Sequence, residues 1–251
     1  MPEWRGLFFD LIDSSIAPPG LFRSIIIELG KIKPYHDVYY DGKAFAYAFG
    51  NILKLRMDIR QLASITLQRL SDTYNLSMDI AEPAAKDKFM GVHLYTHQDT
   101  LGPEAGWPAL DRTYAAYENE TKMYLEQASK SNYSVIYVAS TDRNEVSQFA
   151  EDAKPMIVTS KFNLLGMGRE IEMLARLTPE QQTFIDFLVL QKASEFWGVG
   201  HSAFSWNVAL KRHTFLSDGK FEDGKNAFDD ELSHIYGRKG ENQMLATRMW
   251  P

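Results

Sequence analysis

The residues whose spacing carries the most chemistry are Gly198, Gly200, His201, Ser202, Ala203 and Phe204. Small residues ahead of a helix N-terminus let backbone N–H groups close around an anion. Ser202 is placed to open that helix, where its hydroxyl can cap the helix and also donate to a phosphate oxygen. The chemistry this suggests is capture of the diphosphate of a nucleotide-sugar. An ordinary strand–turn–helix would carry the same residues, because a Gly-x-Gly pair is a weak signature alone. His93, at the end of an expected strand, could donate to a phosphate or base, or be a satisfied core histidine. Asp186 falls inside an apolar helix, where a carboxylate is costly unless paired. It could accept two N–H bonds from a guanine edge, or be neutralised by a lysine or by backbone amides. Lys211, Arg212 and His213 lie about 15 Å from the start of their helix, too far for its phosphate. They read as a charge cluster at a helix C-terminus. His93 and His97 straddle a strand end, so no metal-binding spacing arises. No nucleophile elbow and no P-loop occur.

These residues need a scaffold. Thr178, Pro179 and Gln181 predict a capped helix start, and residues 184–190 a buried helix body. Residues 194–197 read as extended, followed by a turn over 198–201 and a helix over 202–211. Upstream, residues 89–94, 134–139 and 155–159 are strand candidates. Residues 44–55, 58–74, 111–130, 144–152 and 169–176 read as helices, as does 21–29. The helix over 58–74 sets Ile59, Leu62, Ala63, Thr66, Leu70 and Tyr74 on one face. From residue 89 onward strands and helices alternate, which predicts a parallel sheet with helices on both faces. Ligands in such sheets bind beyond the carboxyl ends of the strands, so the loops beginning at Tyr95, Ser140, Ser160 and Gly198 should converge on one crevice. The tail, residues 214–251, reads as loops with at most one short helix.

Composition bounds the alternatives. The chain has 251 residues, 45% hydrophobic and 24% charged, with a net charge of −6 and no cysteine. These are globular values. The acidic balance argues against a nucleic-acid partner, and the missing thiols exclude disulfides and thiolate metal sites. The first ten residues lack the pattern of a signal peptide, and no apolar run is long enough to be a transmembrane segment. Three N-x-S/T sequons, at Asn75, Asn119 and Asn132, hint at a secretory lumen.

Several pieces together resemble the GDP-fucose protein O-fucosyltransferase family, in particular a fungal O-fucosyltransferase-like branch. They are Gly91, Val92, His93 and Leu94 with Asp99, Trp107 and Pro108; the strand VIYVAS at 135–140; and the stretch 177–212, with ASEFWGVGHSAFSWNVALKR at its core. LSHIYG at 232–237 and MWP at 249–251 also fit. The resemblance covers the chain from about residue 58 to the end, and the long central block is its specific part. It implies a GT-B glycosyltransferase fold, with residues 58–251 as the Rossmann-like nucleotide-sugar-binding domain. Residues 1–57 would be a truncated, helical remnant of the acceptor-side domain. It also implies GDP-fucose as donor substrate, no metal or other cofactor, a hydroxyl on a glycoprotein or glycan as acceptor, and a secretory (Golgi or ER) location. Carried over residue by residue, His93 meets the nucleotide, and Ser202 and Phe204 meet the diphosphate beside Gly198, Gly200, His201 and Ala203. Asp186 carries over as a base-binding group. No catalytic residue is assigned. The arginine of the family's His-Leu-Arg motif is Tyr95 here, a neutral hydroxyl in place of a charged fork. Loss of such stabilisation costs about 2.7–4 kcal/mol of barrier. That departure, with the short N-terminal part, leaves a second reading: a non-catalytic binding module derived from such an enzyme.

Overall fold

The computed structural model describes residues 42–52, 54–96, 116–166, 168–216 and 230–237. The helix expected over 21–29, most of the proposed N-terminal remnant, and Asp99, Trp107 and Pro108 lie outside them. Two helices, α1 (Lys43–Ile52) and α2 (Met57–Thr73), precede β1 (Met90–His93). Then follow α3 (Tyr117–Lys130), β2 (Val135–Ala139), α4 (Arg143–Asp152) and β3 (Ile157–Thr159). Three helices, α5 (Lys161–Leu164), α6 (Arg169–Ala175) and α7 (Pro179–Gln191), lead to β4 (Glu195–Val199), α8 (Ala203–Leu216) and β5 (Ser233–Tyr236).

Local chemistry accounts for many of the boundaries. Thr178 and Gln181 close a reciprocal capping box at 3.3 and 3.1 Å, with Pro179 at the first helical position of α7. Asp142 caps α4 by accepting from the Asn144 amide at 2.7 Å. Helices α2 and α3 each stop at an asparagine with left-handed backbone, Asn75 (φ 53°) and Asn132 (φ 57°). Two of the three sequons therefore sit on helix-stop asparagines, and both residues are exposed.

The five strands run parallel in the order β3-β2-β1-β4-β5. Winding goes outward from β1 to β3, then crosses back to β4 and β5. Crossovers of one hand place helices on opposite faces when the winding direction reverses. Accordingly α3 and α4 cover one face, against Met90, Val92, Ile136, Val138 and Trp197. The other face, carrying Val135, Tyr137 and Phe196, packs on α7, α8 and α2. Gly91 gives α7 its close approach to this face: a Cβ there would come within 2.8 Å of Leu190 and 2.9 Å of Ala193. Every residue of β1, β2 and β4 is buried, as expected for central parallel strands. This is an α/β domain of Rossmann-like architecture.

Three sequence expectations need correction. The tail contributes an edge strand: β5 pairs with β4 from Phe196↔Ser233 to Val199↔Tyr236. Four residues are too short to display a period that distinguishes strand from loop. Arg212 does not belong to a charge cluster at a helix C-terminus. It is 2% exposed, and its guanidinium donates to the carbonyls of Leu190, Gln191, Ala193, Ser194 and Leu232 at 2.7–3.1 Å. It thereby satisfies carbonyls at the C-terminus of α7, and helix α8 runs on past it. Finally, the turn does not begin at Gly198, because β4 extends through Val199.

Candidate functional site

The strand order reverses between β1 and β4, so the chain leaving β1 and the turn leaving β4 diverge from neighbouring strand ends. Such a switch point opens a crevice in doubly wound sheets. The structure brings most of the residues singled out in the sequence to this place. The Tyr95 ring lies 5.2 Å from that of His201 and 5.4 Å from that of His93. His93 in turn packs on Phe204, centroid to centroid 4.5 Å. His201 Nε2 is 3.2 Å from the Tyr95 carbonyl, joining the two loops directly. Tyr95, His201 and Phe204 are partly exposed and Ala203 is exposed, whereas His93 and Ser202 are buried.

The turn after β4 divides its amides between fold and surface. Gly200 N donates to Tyr236 O at 2.7 Å, and Ser202 N to Val199 O at 3.1 Å. Ser202 Oγ accepts from Ser205 N at 3.4 Å, so Ser202 caps α8. Among the described residues the amides of Ala203 and Phe204, at the first turn of α8, meet no acceptor. They carry the positive end of a fourteen-residue helix. Gly198 serves a packing need: a Cβ there would lie 2.6 Å from the Ser205 side chain and 2.8 Å from Phe196.

Ser205 is the positioning residue that sequence reasoning missed. Its Oγ accepts from Val199 N at 3.1 Å and lies 2.8 Å from His93 Nδ1, tying β4 to the end of β1. The available signal was its place one helical turn after the Ser202 cap, facing back toward the glycines. Burial, followed by the charges of His201 and Lys161, lowers the His93 pKa to about 3. His93 is thus a neutral imidazole at physiological pH, able to donate or accept a hydrogen bond without carrying charge.

The opposite side of β1 is clamped by α3. Tyr95 N donates to Glu120 Oε1 at 2.9 Å, and the Tyr124 hydroxyl lies 2.8 Å from His93 O and 3.0 Å from Glu120 Oε1. Thr96 Oγ1 donates to Glu145 Oε1 on α4 at 2.5 Å. These contacts hold the chain as it leaves β1. Sequence periodicity gives no hint of the Tyr124 hydroxyl partner.

Asp186 sits farther along the same face as His93, 2% exposed. Its Oδ1 accepts from the Tyr137 hydroxyl at 2.8 Å, and Lys161 Nζ donates to its Oδ2. Burial pushes the carboxyl up, opposed by Lys161 and the Tyr137 hydroxyl. The lysine partner anticipated from the sequence is thus present. A guanine edge would have to open the packing around this buried carboxylate to bond beside these two donors. Among the described residues no group of three His, Asp or Glu could hold a metal ion. No described helix is long and apolar enough to cross a membrane.

No family model, curated protein or solved structure matches this chain.

Proposed function

We propose that the chain binds a GDP-sugar, GDP-fucose, at the β1/β4 switch point. It would do so as the C-terminal half of a GT-B, O-fucosyltransferase-like glycosyltransferase that transfers the sugar to a hydroxyl. The observation that carries this reading is the meeting of Tyr95 with His201, and of His93 with Phe204, beside two α8 amides that meet no acceptor among the described residues. In the proposal the diphosphate lies on the Ala203 and Phe204 amides, where helix-end charge favours an anion. Neutral His93 and the Ser202 hydroxyl flank it. The half-exposed rings of Tyr95, His201 and Phe204 offer flat surfaces on which a purine can stack. Gly198 and Gly200 act indirectly, by letting α8 approach the sheet and by docking the turn on β5.

Tyr95 favours a second reading, a donor-binding module without turnover. Its ring occupies the crevice where the resemblance places an arginine, and a phenol cannot supply that charged fork to a leaving diphosphate. Calorimetric titration with GDP and GDP-fucose, paired with a sugar-transfer assay, separates the readings. Saturable binding to both nucleotides with transfer supports the enzyme. Binding without transfer supports the module. No heat with either nucleotide removes both. Substituting Tyr95→Arg should tighten GDP binding about tenfold if this position faces the phosphates.

A further inference from the structure

A second cleft gathers positive charge away from the switch point. It lies between the start of α2 and helix α6, has a volume of about 290 Å³, and is lined by Arg56, Arg169 and Arg176. Two arginines elsewhere in the fold have their guanidinium groups engaged. Arg212 is surrounded by carbonyls, and Arg69 donates to Leu164 O at 2.7 Å and to Glu170 Oε2 at 2.8 Å. Arg169 and Arg176 differ. Among the described residues their side chains make no hydrogen bond and no close ion pair. Glu170, the neighbouring carboxylate, is already held by Arg69.

The rest of the lining narrows the ligand. Arg56 donates to Asp58 Oδ2 at 2.7 Å, and Ile59 N to Asp58 Oδ1 at 3.0 Å, so one acid is occupied. Glu172 adds a second negative charge. Three guanidinium groups against two carboxylates leave a small positive excess, enough for one anionic group and unfavourable for a polyanion. Met173 and the buried Leu177 supply an apolar wall. The N-cap position of α2, Arg56, makes no side-chain cap and lines the same cleft.

We propose that this cleft is a binding site for a small phosphate monoester with an apolar or aromatic body. The phosphate would lie across Arg169 and Arg176, whose planar forks match its oxygens, and the body against Met173 and Leu177. The site is independent of the nucleotide reading.

Phenyl phosphate is a suitable probe, titrated calorimetrically into the full chain with and without saturating GDP. Saturable binding is expected, weaker for inorganic phosphate, which lacks the body, and unaffected by GDP. Arg169→Gln and Arg176→Gln should each weaken it about tenfold, and Arg176→Lys, which keeps the charge but not the fork, by less. Both arginines are exposed, so circular dichroism and melting of the variants should match the parent. No saturation up to roughly 10 mM overturns the proposal. So does an affinity unchanged in both glutamine variants, or competition by GDP, which would move the phosphate to the switch point.

Discussion

Two parts of the sheet's carboxyl rim use polar residues in opposite ways. At the ends of β2 and β3, charge is turned inward: Lys161 and Asp186 are each 3% exposed and neutralise one another, with the Tyr137 hydroxyl completing the set. At the ends of β1 and β4 the groups are aromatic or backbone, and several are partly exposed: the rings of Tyr95, His201 and Phe204, beside two helix-end amides that meet no acceptor among the described residues. A buried pair whose oxygens are already bonded holds elements together and has little left for a ligand. Donors unfilled among the described residues, beside partly exposed rings, are the opposite case. The contrast locates the candidate site at the strand-order reversal and assigns the β3 side to scaffolding.

The largest effect should come from the scaffold side. Asp186→Leu strands the Lys161 ammonium in the interior and should cost about 3–5 kcal/mol in denaturant unfolding. The double variant with Lys161→Met should recover most of that loss. Should the single variant instead lose GDP binding at full stability, Asp186 belongs to the site and the contrast fails. Next, Gly198→Ala forces a methyl into Ser205 and Phe196, which should destabilise by about 1–3 kcal/mol and displace Ser205 from His93.

Acid tests the His93 environment. Below its ordinary value of 6.5 the unfolded chain protonates this histidine, whereas the folded chain does not until about pH 3. Stability must therefore fall as pH falls through this window, by about 1.4 kcal/mol per pH unit, or roughly 2 kcal/mol between pH 7 and 5. Denaturant midpoints across that range should lose this slope in His93→Gln. The smallest effect belongs to the open side. Phe204→Ala and His201→Ala should each weaken GDP binding about tenfold, near 1.4 kcal/mol, while shifting unfolding free energy by less. Equal losses of stability and affinity would place these rings in the scaffold instead.

Most of the layered architecture was legible because its signals are local. The capping box at Thr178 and Gln181, the apolar runs of β1 and β2, and the alternation of elements each depend on neighbours in the chain. The turn at Gly198 was misplaced by two residues because glycine permits both a turn and a close approach, and only the position of Ser205 distinguishes them. Arg212 reads as part of a helix C-terminal charge cluster because no sequence pattern reveals that five carbonyls surround it. Strand β5 was missed because its partner is supplied by β4 and its four residues carry no period of their own.

The sequence by itself determined that an alternating chain folds as a parallel sheet, that His93 ends a strand, and that Tyr95 and the turn carrying Gly200 follow strands, since these properties follow from short-range pattern. The tertiary structure decided which strands are neighbours. That choice set Tyr95 against His201 and gave Asp186 to Lys161. The physical reason is that strand order and side-chain pairing are fixed by contacts between residues distant in the chain, formed only when the crossovers close and the core excludes water.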